Sequence, residues 1–115
     1  MVRRKNTVKR VMDYVEMNLE NEIDLDCIAR DAGYSKFHLN RIFSEETGCT
    51  IHKYLQARRL ASAAEKLAGT DQPIAQIAHE AGYSSQQAFS LAFKQAYSCS
   101  PGIYRNAGKI RGMAA

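Results

Sequence analysis

An all-α fold is predicted for this 115-residue chain, built as two helix-turn-helix subdomains joined by a long linker helix. Three observations predict it. Apolar residues recur at three- and four-residue spacing, while the two-residue alternation of strands is scarce. The phrase IARDAGYS, Ile28 to Ser35, returns as IAHEAGYS, Ile77 to Ser84, with six of eight positions identical. Gly33, Gly48, Gly69 and Gly82 each close an apolar-periodic run, as helix-terminating glycines do.

Each element has a local reason, and together they make about seven helices. Val8, Val11, Met12, Val15 and Leu19 form one helical stripe. Asp24 can N-cap a short helix from Leu25 to Ala32, which Gly33 stops. Ser35 caps the next helix, which runs to about Glu46 with Leu39, Ile42 and Phe43 on one face. Thr50 can cap a longer helix from Ile51 to about Ala68, with Leu55, Leu60, Ala64 and Leu67 among its apolar positions. Asp71 and Pro73 suit an N-cap and an early helical position for a short helix to Ala81. Ser84 or Ser85 opens another, to about Tyr97, with Phe89, Phe93 and Ala96 inward. Pro101 starts a last short turn. The expected division is residues 1–49 for the first subdomain, 50–68 for the linker helix, and 69–115 for the second subdomain and tail.

Composition narrows the function classes. No apolar run approaches the roughly 20 residues needed to span a bilayer, so no membrane partner is expected. The basic start, MVRRKNTVKR, lacks the apolar stretch of a secretory signal. Three cysteines without CxxC spacing fit a reduced, cytoplasmic protein. Net charge is +4, and its distribution says more than its size. Residues 3–10 hold five bases and no acid, residues 13–31 seven acids and one base, and residues 32–115 ten bases against five acids. A locally basic surface fits a polyanion partner, although an ordinary solvated surface also accounts for it.

The repeat extends past the quoted phrase. Phe43 matches Phe93, Cys49 matches Cys99, Thr50 matches Ser100 and Tyr54 matches Tyr104. Small Ala29 and Ala78 let the first helix of each copy approach the second. Gly33 and Gly82 supply a turn where left-handed backbone is expected. Ile28 and Ile77 should bury against the second helix. An αα-hairpin repeat with no nucleic-acid role would use some of the same letters. Two copies with matched polar faces weigh against that reading.

The segments LDCIARDAGYSKFHLNRIFSEETGCTIHKYLQARRLASAAEKL and IAQIAHEAGYSSQQAFSLAFKQAYSCSPGIYR resemble the AraC/XylS family of bacterial transcription regulators. The resemblance covers Val8 to Arg105. It implies one chain carrying two helix-turn-helix units that read two successive major-groove segments of double-stranded DNA. A tandem repeat can read an asymmetric site as a monomer, whereas a symmetric dimer reads a palindrome. A connecting helix of about 17 residues would be about 25 Å long, against roughly 34 Å for one DNA turn, so bending of the DNA is expected. The family also implies a regulator, usually an activator, that contacts RNA polymerase.

The expected base-reading residues follow from the outward stripes. In the first recognition helix these are Phe37, Asn40, Arg41 and Ser44. Arg41 can bind guanine O6 and N7 together, and Asn40 can pair with adenine. Phe37 stands where relatives often carry tryptophan, which implies an apolar contact. An intrachain pair of Arg41 with Glu45 is the competing reading. The second helix presents Gln86, Gln87, Ser90 and Leu91. The glutamine pair matches one that relatives use at the DNA surface. Leu91 aligns with Arg41 and departs from the arginine of small family members. The N-terminal helix is therefore expected to read more sharply. Phosphate contacts are expected from Ser35, Lys36, His38, Lys53, Arg58, Arg59, Ser85, Lys94 and Arg105. Arg58 or Arg59 could instead bridge the subdomains.

No enzymatic role is expected, because no nucleophile motif or Gly-rich phosphate loop is present. Cys49 and His52 make a lone CxxH, so no metal or other cofactor is expected. Cys49 and Cys99 read more simply as small hydrophobes. Relatives often attach a ligand-sensing domain, which the tail from Asn106 to Ala115 does not contain. A stand-alone regulator and the DNA-binding piece of an effector-gated chain both fit. The alternative function is a helical protein-interaction module with only nonspecific DNA affinity.

Overall fold

Cap chemistry sets the helix starts. The computed structural model describes residues 2–114, with side chains for residues 4–108. The helices are α1 (Val2–Met17), α2 (Leu25–Ala32), α3 (Lys36–Thr47), α4 (Ile51–Gly69), α5 (Ile74–Glu80), α6 (Gln86–Tyr97) and α7 (Pro101–Ala114). Asp24 Oδ1 accepts from the Asp26 amide at 2.9 Å and starts α2. Ser35 Oγ accepts from the His38 amide at 3.1 Å and starts α3. Thr50 Oγ1 and Ser85 Oγ do the same for Lys53 and Ala88, at 3.1 and 3.0 Å. Each satisfies one of the N–H groups that a helix start leaves unpaired.

The helices divide into two units, residues 1–58 and 59–115, with the boundary inside α4. In the first unit Val11, Val15, Ile28, Ala29, Leu39, Phe43 and Ile51 form the core. Leu39 and Phe43 are each 1% exposed. In the second unit the core joins Leu60, Ala63, Ala64, Leu67, Ile77, Ala78, Ala81, Phe89 and Phe93. Tyr97 stacks on Phe93 at 4.5 Å between ring centroids, and Tyr104 meets Phe93 edge-on at 5.4 Å. Ala29 and Ala78 are buried as their size suggested.

Several expectations need correction. The basic N-terminal segment is helical from Val2, ahead of the stripe that begins at Val8. Asp71 does not cap α5. Pro73 occupies the N-cap position, without a side-chain bond, and Ile74 is the first helical residue. Ala96 is exposed, because the Tyr97 ring takes the inward place against Phe93. Pro101 opens a helix of 14 residues rather than a short turn. Ser100 Oγ accepts from the Ile103 amide at 3.3 Å, and Tyr104 anchors the first turn in the aromatic cluster.

Gly33, Gly48 and Gly82 take positive φ, at 79°, 82° and 85°. A Cβ on Gly33 would meet nothing within 4 Å. Its requirement for glycine is therefore purely a backbone one. Gly33→Ala should lower unfolding free energy by about 1–2 kcal/mol, and Gly33→Asn by less, since asparagine tolerates this region better. Urea denaturation of the two variants checks the order.

Candidate nucleic-acid interface

Burial fixes how the second helix of each copy is rotated. In α3, Leu39, Ile42 and Phe43 are at most 2% exposed. The opposite stripe must therefore face outward. Phe37 is 83% exposed, and the Arg41 side chain is 79% exposed. In α6, Phe89 and Phe93 are fully buried. Gln86, Gln87, Leu91 and Lys94 lie outward, with Leu91 62% exposed. Ser44 and Ser90 are half-buried at the stripe edges. Each unit thus groups its own expected readers on one helix face.

Local contacts order several of these side chains. Lys36 Nζ lies 5.9 Å from the Phe37 ring centroid. The His38 ring stacks on Tyr34 at 5.1 Å, nearly parallel. Arg41 Nε donates to Glu45 Oε1 at 3.2 Å, the i,i+4 pair that competes with base contact. Glu45 Oε2 also accepts from Arg4 Nη1 of α1 at 2.9 Å. The Arg41 pair is exposed, and such pairs contribute little, so a stronger partner displaces it at small cost. Arg4 was not among the sequence candidates, since its link to Glu45 spans 41 residues. Arg30 was not a candidate either. It lines a shallow concavity at the first turn with Tyr34, Lys36 and Phe37.

Three candidates are engaged inside the protein. Asn40 is half-buried, and its Oδ1 accepts from the Ile51 amide at 3.1 Å. That bond satisfies the first N–H of α4 and takes the oxygen that a bidentate adenine contact needs. The second copy places Pro101 where the first has Ile51. Proline has no N–H to satisfy, so Ser90, the counterpart of Asn40, meets no such demand. Arg58 forms a two-pronged pair with Glu16 of α1, one contact at 3.2 Å, on the first unit's surface. Arg105 donates to the carbonyls of Leu67 and Gln72, at 3.0 and 2.7 Å. It satisfies an unpaired carbonyl at the end of α4 and is half-buried.

The other phosphate candidates differ in setting. Lys36, His38, Lys53 and Lys94 are exposed. Ser35 and Ser85 use their hydroxyls as caps, leaving the amides at the starts of α3 and α6 as the groups an anion could meet. Arg59 is half-buried beside the second turn, where a Cβ on Gly82 would stand 2.8 Å from its Nη1. Cys49 and Cys99 are half-buried. Among the described residues no cluster of metal-ligating side chains occurs, and no helix is long and apolar enough to cross a membrane.

Comparison with known proteins places this geometry. A helix-turn-helix domain model matches residues 28–107. The multiple antibiotic resistance protein MarA of Escherichia coli K12 is 35% identical over 99 residues, covering 86% of this chain and 78% of MarA. The transcriptional regulator Rob of Salmonella typhimurium is 39% identical over 102 residues, covering 89% of this chain and 35% of Rob. An AraC-type regulator structure from Chromobacterium violaceum superposes with a TM-score of 0.85 at 28% identity, covering 90% of this chain and 93% of that one. The DNA-binding domain of AdpA, solved with a target DNA, gives a TM-score of 0.80 at 26% identity, covering 90% of this chain and 94% of that domain.

Two outcomes follow from the internal bonds. Arg105→Ala should cost roughly 1.5–3 kcal/mol of stability, the range for hydrogen bonds to a charged group, as read by denaturant titration. The second concerns pH. Glu16 is held below the usual carboxylate range by its bond to Arg58, Glu45 by Arg41 and Arg4, and Glu80 by Lys66 and Gln72. Their folded-state values lie below the unfolded value of 4.5. The stability they contribute is present above that value and lost as pH falls through the folded values. Melting temperature should therefore drop on acidification below about pH 4.5, less steeply in high salt.

Proposed function

The chain belongs to the AraC/XylS family of helix-turn-helix transcription regulators, and on that premise we propose that it activates transcription from an asymmetric double-stranded DNA site. Each unit inserts one recognition helix, α3 or α6, into one of two successive major-groove segments. The observation that carries this reading is the outward stripe repeated in the two copies, Phe37 and Arg41 on α3 and Gln87 and Leu91 on α6. Both stripes are held outward by buried residues of the same helix. The likeness to a domain solved on its target DNA supports the same reading.

Arg41 reads guanine on leaving Glu45, and Phe37 supplies an apolar contact beside it. Ser44 lies at the edge of that stripe. On α6, Gln86 and Gln87 offer paired donors and acceptors to adenine. Lys36, His38, Lys53, Arg59 and Lys94, with the amides after Ser35 and Ser85, hold phosphates and set the register. Asn40 offers only its Nδ2 to the DNA. The chain acts as a monomer on DNA in the cytoplasm, with RNA polymerase as its protein partner and without catalysis. Its match to about a third of Rob fits a module that also serves within longer chains.

Selection of bound duplexes from a random library, at two salt concentrations, tests the proposal. Two conserved blocks about one helical turn apart are expected. Enrichment of nothing, with binding that fades in salt, would leave only phosphate attraction. On the selected site Arg41→Ala should weaken binding by about tenfold or more and relax one base position, while Lys53→Ala should weaken all sequences alike and reduce the salt slope by about one.

A further inference from the structure

The two recognition helices carry different chemistry at one equivalent position. Arg41 and Leu91 occupy the same place in the repeat, two residues before Phe43 and Phe93. Those phenylalanines are buried to within 1%, so both helices are rotated alike in their own units. Arg41 is outward with a guanidinium, and Leu91 is outward with an isobutyl group 62% exposed. We propose that Leu91 is a specificity-determining residue that reads the C5-methyl group of a thymine. The base pair beneath it would then be T·A, where its counterpart Arg41 calls for G·C.

The argument is one of elimination by chemistry, and it rests on the DNA-reading function proposed above. In the major groove guanine, cytosine and adenine are read through hydrogen-bond donors and acceptors, and a leucine can satisfy none of them. Covering them would strip them of water without replacement. The thymine methyl is the remaining feature, and it gains from losing water. The neighbours leave room for this reading. Ser90 is not needed to cap α7, whose first residue is Pro101, and a hydroxyl contacts any base. Gln87 lies one turn before Leu91 on the same face and Lys94 three residues after it, so the leucine sits between polar groups that can engage the flanking base and backbone.

The test replaces single thymines of the selected duplex by deoxyuridine, which removes only the methyl group. Equilibrium binding is measured for the full chain and for Leu91→Ala and Leu91→Arg. One thymine in the α6 block should lose about fourfold in affinity on substitution, the effect of one buried methyl-sized group. The loss should vanish in Leu91→Ala. Leu91→Arg should shift the preferred base at that position to guanine and leave the α3 block unchanged. A two-block site at which no deoxyuridine effect depends on residue 91 would overturn the assignment while sparing the DNA-reading function. Absence of the α6 block altogether would overturn both.

Discussion

The rotation of α3 and α6 about their own axes is the constraint on which the site depends. A helix burying residues at i, i+3 and i+4 has one rotational setting, and that setting decides which residues meet solvent. Leu39, Ile42 and Phe43 set it for α3, and Phe89 and Phe93 for α6. The turn glycines deliver each helix to its core. Gly33 and Gly82 hold left-handed backbone, so the chain reverses without loss of packing at Ile28 and Ile77. Outward display of Phe37, Arg41, Gln87 and Leu91 is thus a by-product of what is buried.

The two copies solve one backbone problem differently. The helix following each recognition helix begins with an amide that lacks an intrahelical partner. In the first copy the Ile51 amide is taken by Asn40, a residue on the edge of the outward stripe. In the second, Pro101 deletes the donor. A position left open in one copy, Ser90, is a structural clasp in the other, Asn40. Sequence alignment of the copies alone would treat the two as interchangeable.

Much of the architecture was legible because it is locally determined. Caps at Asp24, Ser35, Thr50 and Ser85, the glycine stops and the buried stripes depend on residues within one or two turns. Of the candidate site, outward exposure was legible wherever it followed from periodicity, as for Phe37, Arg41 and Leu91. It was not legible where a side chain's partner lies far along the chain. Arg58 meets Glu16 across 42 residues and Arg105 meets Leu67 across 38. An arginine bound to a distant carbonyl looks the same in sequence as one awaiting a phosphate. The length of α7 was hidden for a similar reason, because its hold comes from Tyr104 and Arg105 packing back onto the second unit rather than from its own glycine-containing sequence.

On the proposed reading, the tandem order of the two units and the inequality of Arg41 and Leu91 together give the complex a direction. A symmetric dimer can sit on its palindromic site either way round. A chain whose halves call for different base pairs has one favoured orientation on the duplex. Inverting the site then inverts the bound protein, so every surface that faces away from the DNA points along the duplex in a sense written into the operator. Reversal of a site beside a promoter would present a different face to whatever binds there, with no change in the affinity of the protein for its DNA.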